Sequence, residues 1–166
     1  MRLTLGIDIG VDGAIAVFDD EGRFVEVFDL PTMEGAIGKQ TRRVINSLAL
    51  HGMLLRRSGP IDGTIALIER VHAMPMNGSV ATFSQGHSLG SVTTVLALLG
   101  IACELVQPTA WKKAVGLPAK PDKKQKKEIA RCAAIRLYPE AAPFLERVRD
   151  HNRADAILIG RYHFAH

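Results

Sequence analysis

The chain contains short apolar runs separated by polar turns. Strand-length apolar runs that end in Gly, Asp or Asn are typical of buried β-strands. We predict five such strands, at residues 3–9, 14–18, 24–28, 64–69 and 102–106. Tight turns join the first three, which predicts an antiparallel meander, and residues 30–40 contain Pro and Gly and predict a loop.

Apolar residues at helical spacing follow the meander. We predict helices at residues 41–57, 79–99, 122–137 and 154–160, with a further helix starting near Pro108. A helix between two strands predicts a crossover connection, which would place the fourth strand parallel to the first. The element order βββαβαβα predicts an α/β protein with a five-stranded mixed sheet flanked by helices, and we expect residues 1–166 to form a single domain.

Three of the apolar elements each carry one acid. Asp8 lies in the first strand, Glu69 ends the fourth, and Asp155 lies in the final helix. A carboxylate in an apolar strand is unfavourable unless it is paired, hydrogen-bonded or bound to a metal. Clustered carboxylates repel one another unless a cation lies between them, and Mg²⁺ prefers oxygen ligands. The pattern therefore predicts a shared function for the three acids.

Positive charge is concentrated in one segment. The 166-residue chain has a net charge of +4, yet residues 112–131 contain eight basic and two acidic side chains. Such a segment is usually a solvated face, but beside a phosphodiester site it would bind nucleic acid. The two widely spaced cysteines, the absence of a secretory leader and the absence of a long apolar stretch predict a cytoplasmic protein without a membrane span.

The order of elements and the three acids resemble the ribonuclease H-like fold, and within it the RuvC-type Holliday junction resolvases. The resemblance is carried by Leu5-Gly6-Ile7-Asp8-Ile9-Gly10, Ile68-Glu69-Arg70-Val71 and Arg153-Ala154-Asp155-Ala156-Ile157-Leu158-Ile159. The small size and the segment Pro108-Thr109-Ala110-Trp111-Lys112-Lys113 are most similar to bacteriophage members.

The resemblance implies a homodimeric endonuclease that nicks four-way DNA junctions in paired, symmetric cuts. Asp8, Glu69 and Asp155 would bind two Mg²⁺ ions, for which Mn²⁺ substitutes, and the products would carry 5′-phosphate and 3′-hydroxyl ends. No small-molecule cofactor is expected. The expected DNA contacts are Lys112, Lys113, Lys120, Lys123, Lys124, Lys126 and Lys127.

Two positions depart from the family pattern. Relatives carry a fourth ligand one helical turn before the last acid, and here the candidates are Asp150 and His151, with neutral Asn152 the weaker choice. Some relatives place an aromatic wedge three residues after the glutamate, where this chain has His72, which could stack on a base.

Structural interpretations compete with several of these assignments. Asp150 could be the N-cap of the last helix. Glu69 could form an ion pair with Arg70 or Arg153, and Trp111 is expected in the core rather than on DNA.

Two other functions fit parts of the pattern. One is a non-catalytic DNA-binding module of the same fold. The other is an actin-like or sugar-kinase-like ATPase, which also begins with a strand, an Asp and a Gly-rich turn. An ATPase of that kind needs two lobes, and 166 residues hold only one.

Overall fold

A computed structural model describes residues 2–37, 40–57, 63–71, 78–118 and 125–165 of the chain. Five strands form the main sheet: β1 (Thr4–Asp8), β2 (Ala14–Phe18), β3 (Phe24–Asp29), β6 (Ile65–Glu69) and β7 (Ala102–Val106). Their spatial order is β3-β2-β1-β6-β7. The β1–β2 and β2–β3 pairs are antiparallel, whereas β1–β6 and β6–β7 are parallel. The predicted five-stranded mixed sheet is therefore confirmed.

Helices cover both faces of the sheet. On one face lie α1 (Ser47–Arg57) and α2 (Ser79–Leu98), and on the other lie α3 (Pro108–Ala114), α4 (Lys126–Leu137) and α5 (His151–Tyr162). Two short 3₁₀ helices, Pro139–Phe144 and Val148–Asp150, connect α4 to α5. The last helix thus starts three residues earlier than the apolar pattern predicted, because its first turn is polar.

The alternation of side chains along the central strands supplies both cores. Leu5 and Ile7 point towards α1 and α2, whereas Ala16 and Phe18 of β2 point towards the layer containing α5. Side chains of a strand alternate between the faces of its sheet, so a strand covered on both faces has a continuous apolar sequence. This is why β1 and β2 carry almost no polar residues other than Asp8 at the end of β1.

The segment between β3 and α1 differs from the prediction. Residues 30–40 were predicted as a loop and 41–57 as one helix, but Thr32–Ile37 (β4) and Gln40–Ile45 (β5) pair as an antiparallel hairpin, and the helix begins only at Ser47. Val44 and Ile45 fit helical spacing with Leu48, yet their branched side chains favour a strand. Hydrogen bonding to β4 stabilises the strand rather than the helix for these residues.

None of the helices in the described part of the chain combines the length and apolar character needed to cross a lipid bilayer.

Candidate active site

Asp8 and Glu69, two of the three acids, lie at the ends of neighbouring strands. Ile7 of β1 pairs with Ile68 of β6 in a parallel register. Asp8 and Glu69 each follow directly as the last residue of their strands. Because parallel strands end at the same edge of a sheet, the two carboxylates lie at neighbouring positions on that edge.

The third acid reaches this edge because α5 packs directly on β1. A Cβ atom on Gly6 would collide with the backbone of Ala156 and Gly160, so only glycine permits this close approach. Asp155 precedes Ala156 and is thereby brought beside Asp8, at the end of β1. We call Asp8, Glu69 and Asp155 the acid cluster.

The acid cluster is electrostatically strained. Burial raises the pKa of Asp8 well above its usual range, and the negative charges of Asp155 and Glu69 raise it further, while Lys112 opposes them. A carboxyl whose neighbours are also acids is costly to ionise unless a cation compensates. This electrostatic repulsion is located at the three acids for which the sequence pattern predicts a shared function.

Glu69 is held by the helix that follows β7. The Trp111 Nε1–H donates a hydrogen bond to Glu69 Oε2 at 2.8 Å, and Lys112 Nζ lies 3.9 Å from the same oxygen. Trp111 is fully buried, which confirms its predicted place in the core. Its contact with Glu69 joins residues 42 positions apart and left no local signal in the sequence. Among the salt bridges of the described residues, Glu69 pairs with neither Arg70 nor Arg153. Arg153 instead pairs with Asp29, at 2.6 Å.

Asp150 is engaged away from the acid cluster. It is buried, and its Oδ2 accepts the backbone N–H of Arg147 at 2.7 Å while its Oδ1 accepts Arg147 Nη2 at 2.8 Å. Burial alone would raise the pKa of Asp150, but the hydrogen bonds from Arg147 outweigh it and lower the pKa below its ordinary value. Asp150 occupies the N-cap position of α5, yet its side chain makes no capping bond to that helix.

The next two residues contact the neighbouring backbone. His151 Nδ1 lies 3.1 Å from the Val148 carbonyl oxygen, which can only accept a hydrogen bond, so this contact engages Nδ1 rather than Nε2. Asn152 Nδ2 donates to the Asp12 carbonyl oxygen at 2.6 Å, in the turn that follows Asp8. Asn152 therefore ties the start of α5 to that turn.

The predicted DNA-binding residues fall into three groups. Lys112 lies at the acid cluster, Lys113 is exposed on α3, and Lys127 is exposed and lines a cleft with His151. Lys126 belongs to α4, but its side chain is outside the described part of the chain. The remaining predictions, on His72, Lys120, Lys123 and Lys124, also lie outside the described residues.

The hairpin supplies charged residues that the sequence pattern did not reveal. Arg43 of β5 forms a 2.8 Å ion pair with Asp12 and donates to the Val11 carbonyl oxygen, both in the turn between β1 and β2. Its neighbour Arg42 is exposed and lines a groove with Ile9 and Gly10. Reading residues 41–57 as a helix separated these arginines from the acids, and only strand pairing brings them together.

The acid cluster is not a preformed coordination sphere. Within the described ranges, no group of three or more His, Cys, Asp and Glu side chains is gathered closely enough to hold a metal ion. Asp155 and Glu69 are nevertheless near enough to perturb the ionisation of Asp8, and carboxylates offer only oxygen atoms as ligands.

Comparison with known proteins defines the fold class. Neither a scan of protein-family models nor a search of curated proteins finds a match. Solved structures do match, over nearly the whole chain, and they share the ribonuclease H-like arrangement of a mixed five-stranded sheet with flanking helices.

Three of the matched structures are of RuvC or of a viral resolvase. Thermus thermophilus RuvC in complex with a Holliday junction substrate is 16% identical, with a TM-score of 0.63, covering 99% of this chain and 94% of that one. A further Thermus thermophilus RuvC structure is 16% identical, with a TM-score of 0.55 and coverage of 98% and 93%. The fowlpox virus resolvase in complex with substrate Holliday junction DNA is 10% identical, with a TM-score of 0.51 and coverage of 95% and 94%.

Proposed function

We propose that this protein is a divalent-metal-dependent endonuclease that cleaves four-way DNA junctions. The observation that carries the proposal is the acid cluster, in which burial of Asp8, together with the nearby negative charges of Asp155 and Glu69, raises the pKa of Asp8. The similarity of the fold to two resolvases solved with Holliday junctions supports the choice of substrate. We further propose that residues 1–166 form one domain, since the matched chains are covered almost completely.

The donor chemistry of the acid cluster fits a hard divalent cation. Asp8, Glu69 and Asp155 would hold the two Mg²⁺ or Mn²⁺ ions that the resemblance implies. Such ions supply an activated water and stabilise the leaving 3′ oxygen, which gives 5′-phosphate and 3′-hydroxyl products. The repulsion among these acids is the energetic reason to expect binding, because a cation would lower the pKa of Asp8.

The groups around the acid cluster have distinct tasks in this proposal. Trp111 fixes one oxygen of Glu69 through its indole N–H, which leaves the other oxygen to face a ligand. The Lys112 ammonium, 3.9 Å from Glu69, adds positive charge at the point where a scissile phosphate would approach. An ammonium stabilises the extra negative charge of a phosphodiester under attack by water.

A fourth ligand is proposed at His151. Both oxygens of Asp150 accept hydrogen bonds from Arg147, so that coordinating a metal would require breaking the ion pair of a buried carboxylate. Asn152 is engaged with the Asp12 carbonyl group through its amide. His151 retains Nε2, a common metal-binding atom of neutral histidine.

Lysines on α3 and at the start of α4 are proposed to hold the DNA backbone. Lys113 and Lys127 are exposed, and Lys120, Lys123, Lys124 and Lys126 complete the basic segment. Phosphate contacts of this kind supply most of the affinity for nucleic acid and make it salt-dependent. A stacking role for His72 is retained as part of the proposal.

Action as a homodimer is supported by the surface of α2. This helix exposes Val80, Phe83 and Leu98, the last by 74%. Val80 and Phe83 lie one turn apart at the start of the helix, and neighbouring exposed apolar side chains are typical of an interaction surface. Two active sites related by two-fold symmetry would match the two opposed strands of a four-way junction.

Cleavage of a labelled synthetic junction tests the proposal. The wild-type protein should make paired nicks in Mg²⁺, whereas Asp8→Asn and Asp155→Asn should bind the junction without cutting it. Asp20→Asn, which removes an exposed acid in the β2–β3 turn, is the matched control and should cut normally.

Three other outcomes would contradict the proposal. Cutting by Asp8→Asn at the wild-type rate would remove the acid cluster from the mechanism. Junction binding without cutting in either Mg²⁺ or Mn²⁺ would favour a non-catalytic module. ATP hydrolysis without DNA would favour an actin-like or sugar-kinase-like protein. A bacteriophage origin stays a prediction based on sequence resemblance.

A further inference from the structure

The β4–β5 hairpin is fixed to the turn that follows Asp8. Arg43 binds this turn through Asp12 Oδ1 at 2.8 Å and through the Val11 carbonyl oxygen. From the other side, Asn152 of α5 donates to the Asp12 carbonyl oxygen at 2.6 Å. At the base of the hairpin, the Asn46 N–H donates to the Pro31 carbonyl oxygen at 2.8 Å. The hairpin therefore has a defined position beside the acid cluster.

Strand geometry sends two consecutive arginines to opposite faces of this hairpin. Successive side chains of a strand alternate, so Arg42 and Arg43 diverge. Arg43 lines a cleft of about 650 Å³ with His151 and Arg149. Arg42 lines a separate groove of about 680 Å³ with Gly10 and residues of α2. The hairpin lies between the cleft and the groove. The cleft is lined by Val11 and Asp12 and the groove by Ile9 and Gly10, which are all within four residues of Asp8 in the sequence.

The groove at Arg42 has the chemistry of a phosphate site. Its walls are Ile9, Gly10 and the N-terminal half of α2, and its polar groups are the Arg42 guanidinium, the Ser84 and Ser88 hydroxyls and the Gln85 amide. None of its lining residues in the described part of the chain is acidic. Gly10 has a φ of +140°, which disfavours other residues, and nothing lies within 4 Å of where its Cβ would be. The groove is therefore open at the point closest to Asp8.

We infer that the hairpin is a second DNA-contacting element, in which Arg42 binds a backbone phosphate next to the scissile one, in the groove between Gly10 and α2. This inference rests on the proposed function. It adds a phosphate contact from the hairpin to the positive charge that Lys112 supplies beside Glu69. Arg43 has a different part: it positions the hairpin through Asp12 and does not itself bind DNA.

The test measures junction binding in an Asp8→Asn background, where no cutting interferes. Arg42→Ala should weaken binding of a labelled four-way junction about tenfold, as expected for one charge-assisted hydrogen bond. It should also lower the slope of log affinity against log salt concentration by about 0.9, the value for one lost phosphate contact. Arg42→Lys keeps the charge and should retain the salt slope.

Two further variants separate binding from folding. Arg56→Ala removes an exposed arginine from the last turn of α1, which leads to the start of β6 at the opposite end of the sheet, and should leave binding and slope unchanged. Arg42→Gln removes the charge but keeps a long polar side chain, and should bind as weakly as Arg42→Ala. Thermal unfolding of every variant is recorded alongside.

The outcomes distinguish this inference from the proposed function. A parent protein that neither binds nor cuts the junction refutes the proposed function. If the wild-type protein cuts the junction, but Arg42→Ala and Arg42→Gln in the Asp8→Asn background bind it with unchanged affinity and salt slope, the role of Arg42 alone is refuted. Weak binding by Arg42→Ala that accompanies a lower melting temperature, with normal binding by Arg42→Gln, likewise overturns it in favour of a structural role.

Discussion

Replacing Trp111 by Phe removes one hydrogen-bond donor from the acid cluster while it keeps an aromatic ring in the core. The indole N–H lies 2.8 Å from Glu69 Oε2, and the tryptophan is fully buried. A hydrogen bond to a charged group contributes about 1.5–3 kcal/mol. Because the Glu69 side chain is 28% exposed, water can replace part of the bond, so the lower end applies.

The smaller ring also leaves a space. A cavity of roughly 40 Å³ at about 24 cal/mol per Å³ costs about 1 kcal/mol. The two contributions together predict that Trp111→Phe lowers the free energy of unfolding by about 2.5 kcal/mol. The released Glu69 should also slow junction cleavage roughly ten- to hundredfold at unchanged junction affinity, since misplacing a ligand disturbs the reacting geometry.

Urea denaturation and single-turnover cleavage measure these effects, and a double-mutant cycle with Glu69→Ala, which removes the acceptor, isolates the contact. The coupling free energy for unfolding should be about 1 kcal/mol or more. Tyr138→Phe is the control, because it removes a buried hydroxyl donor to the Gly22 carbonyl oxygen, away from the acid cluster, and should leave cleavage unchanged. A coupling within about 0.3 kcal/mol of zero would refute the reasoning, since sites without contact behave additively.

Three further predictions concern the charges and the surface of α2. The raised pKa of Asp8 means that the folded protein binds a proton at this carboxyl more tightly than the unfolded chain does, so the free energy of unfolding should fall as pH rises from about 4 through the raised pKa. In denaturation experiments at a series of pH values, Asp8→Asn should remove this decline. Mg²⁺ should stabilise the wild-type protein but not the variant. The lowered pKa of Asp150 has the opposite sign, with stability lost as pH falls through the folded value. Asp150→Asn should therefore cost about 1 kcal/mol near neutral pH yet still cleave junctions, and loss of cleavage in a folded variant would instead make it a ligand. Phe83→Asp should convert a dimer into monomers in analytical ultracentrifugation, and an unchanged mass would exclude α2 from the interface.

The sheet and its acids were predictable because their signals are local. The apolar run around Asp8, the second run that ends in Glu69 and the intervening helix together require a parallel crossover, so the two acids had to meet at one edge. The hairpin was missed for an equally physical reason. Its strands pair with each other, and five of the side chains described there are exposed (Met33, Glu34, Thr41, Arg42 and Arg43), so no alternating apolar pattern marks them.

By itself, the sequence determined the fold class and the three acids, since strand and helix periodicity follow from which positions must be buried. Only the tertiary structure decided how the acid cluster is surrounded. Trp111 donates a hydrogen bond to Glu69, Arg147 forms an ion pair with Asp150, and Asn152 donates a hydrogen bond to the turn after β1. The contacts of Trp111 and Asn152 join residues that are far apart in the sequence, and the packing of helices brings them together. The contact of Arg147 with Asp150 is local and depends on the geometry of a single 3₁₀ turn. Side-chain partners are chosen by three-dimensional proximity, which residue spacing does not encode.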